Sequence, residues 1–243
     1  MNTRIHVDAP LESGSELQLG RDHAHYLGRV LRLRTGAQIT VFDGAGNAHD
    51  ATIGALGRND ARITLGERQA GDRESPLAVS LVQGVSRGER MDVLVQKATE
   101  LGVARVLPVL TERSVVRLDA VRGEKRRGHW QKIAVAACEQ CGRNRLPVID
   151  APSRLEDYLA RPPGAQTRLL FSPAATRRLR DLGPPADSRL EVLVGPEGGL
   201  TAAEERTAAA KGFMAVSMGP RVLRSETAGI AALALLQGQW GDI

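Results

Sequence analysis

Thiols are scarce. The 243-residue chain has two cysteines, Cys138 and Cys141, in a single C-x-x-C. A zinc site takes about four ligands, yet no second cysteine pair exists and the nearest histidine, His129, lies nine residues upstream of Cys138. Both thiols are therefore expected to be reduced and structural, and no metal is expected. No apolar run is long enough to span a bilayer, and no apolar signal core follows Met1. The expectation is a cytoplasmic protein with no membrane partner. Two nucleotide signatures are missing as well: there is no G-x-G-x-x-G, and no glycine-rich loop ends in Gly-Lys-Ser/Thr.

What is present starts with a composition of 42% hydrophobic and 25% charged residues, enough for one large or two modest domains. The net charge of +5 is unevenly placed. Residues 1–74 hold 9 Lys and Arg against 10 Asp and Glu, whereas residues 105–145 hold 10 against 4. The basic excess thus sits in one stretch, and eight of its cations are Arg, including Arg113, Arg117, Arg122, Arg126, Arg127, Arg143 and Arg145. Guanidinium suits bidentate phosphate contacts and base stacking. A polyanion surface is the reading this favours over a solvated helix face.

Residues 1–72 read as a small β-rich domain, with short strands at Arg4–Val7, Glu16–Leu19, Gln38–Phe42, Ala51–Leu56 and Ala61–Leu65. Near-regular spacing of this kind suggests a small barrel. A helical stretch, Asp22–Leu31, and the turn after it carry Arg29, Arg32 and Arg34, candidates for local RNA contact. Gly71–Pro76 is the expected linker. From 73 to 243 the pattern alternates strand and helix, which argues a mostly parallel sheet with helices on both faces. In such sheets ligands bind beyond the carboxyl ends of the strands.

Two glycine loops fall at such ends. The strand Leu190–Val194 stops at Gly195-Pro196-Glu197-Gly198-Gly199-Leu200, and Thr201 with Glu204 makes a capping box for the next helix. A strand from Phe213 to Ser217 leads into Met218-Gly219-Pro220-Arg221-Val222-Leu223-Arg224, after which Ser225 is expected to cap a last apolar helix, Glu226–Gln239. A tight connection explains one such loop; a pair, the second carrying two arginines beside a glutamate, points to a ligand site. These segments, continued through Ser225-Glu226-Thr227-Ala228, resemble those of the SPOUT methyltransferases, and within them the bacterial 16S ribosomal RNA uridine-N3 methyltransferases. Gln96–Gly102 and Ala136–Arg145 are similar to the same family, so that the resemblance covers nearly the whole chain.

The resemblance implies an N-terminal PUA-like RNA-binding barrel and a C-terminal SPOUT domain closed by a trefoil knot. It implies S-adenosylmethionine as cofactor, 16S ribosomal RNA of the small subunit as substrate, and a homodimer with the active site formed across its interface. Gly195, Gly198, Gly199 and Gly219 would let backbone approach the cofactor. Leu170, Phe171, Leu193, Val194, Pro196, Met218, Val222, Leu223, Thr227 and Ala228 would complete its site, with Glu197 on ribose hydroxyls or the ammonium. Uracil N3 becomes nucleophilic once its proton leaves, and the charge then spreads to the flanking carbonyl oxygens. Arg224 is the first candidate to stabilise that anion, Glu226 to act as base or positioning group, and Arg143 to meet the base. Another acceptor, such as a ribose 2′-hydroxyl or guanine N1, stays open on the residues alone, as does an assembly factor that only binds RNA.

Overall fold

The computed structural model describes residues 3–71 and 73–243; Asp72, inside the expected linker, lies outside the described residues. The chain divides by contacts into two units, Met1–Glu74 with Cys138–Leu146, and Ser75–Ala137 with Pro147–Ile243. The break falls at Glu74, and the first unit takes back a segment from the middle of the chain. A simple cut at residue 72 misses that second piece.

In the N-terminal unit the strands are β1 (Arg4–His6), β2 (Glu16–Leu19), β3 (Gln38–Phe42), β4 (Ala48–Leu56) and β5 (Ala61–Arg68). Helix α1 (Arg21–His25) runs into a π-helical turn, Tyr26–Val30, between β2 and β3. The sheet order is β1-β3-β4-β5-β2, antiparallel except for the β1–β3 pair. Register shifts at His49/Ala51 and Ile53/Ala55 bend β4. The sheet curls around Ile5, Leu27, Ile39, Ile53 and Ile63, all buried in one cluster. The β3–β4 turn is of Asx type: the Asp43 carboxylate accepts from the Ala45 and Asn47 N–H groups.

Residues 138–146 complete this unit. Cys138 and Leu146 pack with Phe42 and Ala48. Leu146 N–H donates to Gly44 O, Gly46 N–H to Asn144 O, and Arg4 Nη2 to Asn144 Oδ1 at 2.6 Å. Both cysteines are reduced thiols. The hydrogen bond with Cys141 and burial push the Cys138 thiol well up, so it stays protonated.

The C-terminal unit runs β6 (Ala78–Gly84), α2 (Arg90–Glu100), β7 (Arg105–Leu110), α3 (Ala120–Cys141), β8 (Val148–Ile149), β9 (Ser153–Arg154), α4 (Leu155–Leu159), β10 (Thr167–Phe171), β11 (Arg189–Val194), α5 (Ala202–Ala210), β12 (Met214–Val216) and α6 (Ser225–Trp240). The sheet order is β12-β10-β11-β6-β7-β8, with β9 beside β7, and every pairing is parallel. Strands in such a sheet are buried on both faces, which is why they read as continuous apolar runs. Alternate residues serve different cores. Val79, Leu81, Val192 and Val194 join α2 and α6 in one cluster, while Val82, Leu193 and Leu170 join α4 and Ala208 of α5 in the other. Helix α2 offers Met91, Leu94, Val95 and Ala98 at helical spacing, and Gly102 at φ 78° ends its turn.

Candidate active site

The carboxyl ends of β10, β11 and β12 open into a cavity of about 650 Å³. Its apolar wall is Leu170, Phe171, Val194, Val216, Met218, Val222, Leu223 and Ala228. Gly195, Pro196, Gly199 and Gly219 bring bare backbone to it, and Glu197, Glu205, Arg90, Arg221 and Arg224 bring charge. The capping box forms as the sequence predicts: Thr201 Oγ1 accepts from Glu204 N–H while Glu204 Oε2 accepts from Thr201 N–H. It fixes where α5 starts, and with it where the glycine turn must end. Inside that turn Gly199 N–H donates to Pro196 O at 2.8 Å, with Gly199 at φ 67° in the left-handed region that favours glycine.

Three expected residues do not reach the wall. Leu193 is fully buried, with its side chain in the core cluster that includes α4 and Ala208 of α5. Thr227 is exposed on α6 and is not among the residues that line the cavity. Gly198 turns toward the β7–α3 loop, where an added Cβ would meet Arg113 Cβ at 3.0 Å. The expected cap also moves by one residue. Arg224 occupies the N-cap position of α6, and the Ser225 hydroxyl donates to Gly195 O at 2.6 Å and accepts from Gln83 Nε2 at 2.8 Å. Spent on those tertiary bonds, it ties the two glycine loops together and caps nothing.

Other residues were invisible along the chain. Arg90, at the start of α2, donates to Glu197 Oε1 at 2.6 Å and lies 3.9 Å from Glu226 Oε1. Burial pushes the Glu197 carboxyl up, but its own and Arg87's N–H groups and Arg90 outweigh that and hold it below the usual range. Glu226 Oε2 is buried with no hydrogen-bond partner among the described residues. Ser172 Oγ donates to Glu205 Oε1 at 3.3 Å within the cavity. Gly84 packs against the backbone of the glycine turn: a Cβ there would sit 2.3 Å from Pro196 N. Only three-dimensional neighbours mark Arg90, Ser172, Glu205 and Gly84, whereas Glu197 and Glu226 are already candidates on the sequence.

The basic residues separate into sets. Arg29, Arg32 and Arg34 are exposed on the N-terminal unit. Arg117 and Arg126 are exposed too, while Arg122 pairs with Asp119 and Arg127 with Glu124. Arg143 is a different case: only 4% exposed, it donates to Glu74 at 2.6 Å inside the N-terminal unit. That ion pair corrects its expected place beside a substrate base. Arg145 is exposed, with its guanidinium lying against Gly46.

A family model described as an RNA methyltransferase domain matches residues 73–237, and one described as an RNA methyltransferase PUA domain matches residues 19–66. The ribosomal RNA small subunit methyltransferase E of Buchnera aphidicola (subsp. Schizaphis graminum) is 31% identical, over 99% of this chain and 97% of that protein. Its counterpart from Bacillus subtilis is 30% identical over 94% and 92% of the two chains. Among solved structures, the Neisseria gonorrhoeae enzyme of that name bound to S-adenosyl methionine superposes with a TM-score of 0.94 at 38% identity, covering 100% of both chains. A Legionella pneumophila methyltransferase in complex with the same cofactor matches equally, at 36% identity and a TM-score of 0.94 over 100% of both chains. The chain belongs to the RNA methyltransferase family, among the small-subunit ribosomal RNA methyltransferases E, with a PUA domain preceding its methyltransferase domain.

Proposed function

We propose that the protein transfers a methyl group from S-adenosylmethionine to N3 of a uridine in 16S ribosomal RNA of the small subunit. The observation that carries this is the cavity at the carboxyl ends of β10–β12, in which bare glycine backbone, an apolar wall and three arginines converge. The cavity suits the cofactor. Its volume is that of a small-molecule site, Leu170, Val194, Met218 and Leu223 offer apolar faces to a flat base, and Glu197 and Glu205 are carboxylates for a cationic ligand. S-adenosylmethionine supplies an electrophilic methyl on a sulfonium.

The chain's own residues do the rest. Glu226 follows the cavity-lining Arg224 and Ser225, and its buried, unpartnered Oε2 supports a role in accepting the N3 proton or holding the base by it. Arg224, exposed at the head of α6 and lining the cavity, faces the charge that spreads over the uracil carbonyl oxygens. The exposed arginines of both units, Arg29, Arg32, Arg34, Arg117 and Arg126, hold phosphate, which positions RNA without reading it. The trefoil knot and the homodimer belong to the same reading. The bond from Ser225 Oγ to Gly195 O, which joins the two loops, supports the first. Leu235, 46% exposed on otherwise apolar α6, supports the second. A cytoplasmic location follows from a ribosomal substrate.

The test is methylation of small subunits that lack the mark, followed by nucleoside mass analysis. 3-Methyluridine is the expected product. A 2′-O-methyl nucleoside or 1-methylguanosine would replace the acceptor, and no methylated nucleoside at all would overturn the activity.

A further inference from the structure

We infer that Arg113 is a positioning residue for the cofactor turn, holding Gly198–Leu200 in the shape that lines the cavity, and is not one of the phosphate-binding arginines. The inference rests on the S-adenosylmethionine reading above.

The loop between β7 and α3 begins with a turn of its own. Ser114 N–H donates to Thr111 O at 3.0 Å, and Thr111 N–H donates to Ser114 Oγ at 2.9 Å. This turn aims Arg113 at the glycine segment, where Nη1 donates to Gly198 O at 3.2 Å and to Leu200 O at 3.3 Å. Those two carbonyls flank Gly199, the residue in the left-handed conformation. Gripping both sets the orientation of the peptides on either side of it, and so decides which backbone groups of Gly199 and Leu200 face the cavity they line. The neighbouring residue secures the same seam, since Glu112 N–H donates to Glu204 Oε1 at 2.8 Å. The other oxygen of Glu204 closes the capping box on Thr201.

Gly198 shows how close the fit is. A Cβ there would lie 3.0 Å from Arg113 Cβ and 3.1 Å from Arg113 O, so the turn and the loop touch backbone to backbone. Glycine is needed at 198 to let Arg113 in, not to leave room for a ligand. Sequence position places Arg113 at the head of the basic stretch with Arg117, Arg122 and Arg126. Its Nη1 donates inward, to two carbonyls of its own chain. Both bonds come from one nitrogen, Nη1, whose two N–H groups serve one carbonyl each.

The experiment uses the full-length protein and four variants: Arg113→Ala, Arg113→Lys, Gly198→Ala and the Arg113→Ala/Gly198→Ala double variant. Calorimetry reads S-adenosylmethionine affinity, steady-state kinetics on unmethylated small subunits reads kcat and KM, and titration across salt reads RNA binding. Arg113→Ala is expected to raise the cofactor Kd and KM about tenfold, the scale of one or two lost hydrogen bonds. The kcat at saturating cofactor should stay within about twofold, a split that general destabilisation would not produce. Arg113→Lys should recover part of the affinity. Gly198→Ala should reproduce the loss, and the double variant should be no worse than Gly198→Ala, because both break one seam. Unchanged cofactor affinity in Arg113→Ala overturns the inference, as does a salt slope lowered by about 0.7 to 0.9, the mark of one lost phosphate contact. Additive losses in the double variant overturn it too. If Arg113→Ala fails to fold, Gly198→Ala decides alone, and wild-type cofactor affinity there sinks the idea. A parent protein that binds no S-adenosylmethionine would instead overturn the function reading itself.

Discussion

Arg224 ends the second glycine loop in extended conformation, φ −63° and ψ 152°, with its side chain exposed on the cavity. If it stabilises the uracil anion, Arg224→Ala lowers single-turnover methylation about a hundredfold, the cost of one oxyanion donor. Arg224→Lys recovers only part, because a point charge cannot span N3 and a carbonyl oxygen. A rate that is normal at saturating cofactor in Arg224→Ala would move the role elsewhere. Gly84 gives a second residue-scale expectation. With a Cβ 2.3 Å from Pro196 N and 2.7 Å from Gly195 C, Gly84→Ala must push the glycine turn aside. It should cost about 2 kcal/mol of stability by overpacking and weaken cofactor binding with it, seen by denaturant unfolding and calorimetry. Glu197 sets a pH limit. Its folded-state carboxyl sits below the usual range, so its bonds to Arg87 and Arg90 are intact above the unfolded value and are lost as pH falls through the folded one. Cofactor affinity should therefore hold down to the ordinary carboxylate range, about pH 4, and drop only below it; a drop between pH 6 and 5 would exclude Glu197 as the cause.

Paired strands supply the sharpest expectation among the elements. Arg168 of β10 stands opposite Glu191 of β11 in register, and their charges meet at 2.6 Å with both side chains under a tenth exposed. Arg168 also donates to Lys211 O at 2.6 Å and lies 4.1 Å over the Phe213 ring. Burial, then the neighbouring Glu191 charge, pushes the Tyr158 hydroxyl up, so it stays protonated in this cluster. Removing one charge strands the other: Glu191→Gln should destabilise by about 3 kcal/mol or more. The double variant Arg168→Met/Glu191→Leu should recover much of that. Thermal unfolding of the two variants decides, and a Glu191→Gln protein as stable as the parent would mean that water reaches the pair. The pair sits at the strand ends opposite the cavity, so cofactor binding should be spared in any folded variant.

Across the whole molecule, the division of the chain carries a prediction about cutting it. The N-terminal unit draws on Cys138–Leu146, whose Cys138 and Leu146 share a cluster with Phe42 and Ala48 and whose Arg143 pairs with Glu74. A fragment starting at residue 73 loses Phe42 and Ala48 and bares those apolar side chains. It should melt well below the full chain and aggregate, whereas the same fragment with Leu146→Glu should stay more soluble. Calorimetry and sedimentation of the fragments check this; a 73–243 fragment as stable and soluble as its parent domain in the full chain would show that the segment can stand alone.

Patterns local in the chain were legible in the sequence. The strand Gln38–Phe42, the apolar run Leu190–Val194 and the Thr201–Glu204 capping box each depend on a few adjacent residues, and each forms as read. Two glycine loops at strand ends were enough to point to the cavity. Tertiary structure alone decided which way each side chain there turned. Leu193 and Val194 are neighbours in sequence but join different core clusters, because successive strand residues alternate, and only packing says which of them also borders the cavity. Ser225 gave up its expected cap for Gly195 O and Gln83, partners 30 and 142 residues away. Arg143 and Arg113 read alike as cations of one basic stretch, yet one is buried on Glu74 and the other grips two carbonyls of the cofactor turn. A charge is visible in sequence, but its partner is a matter of distance in space.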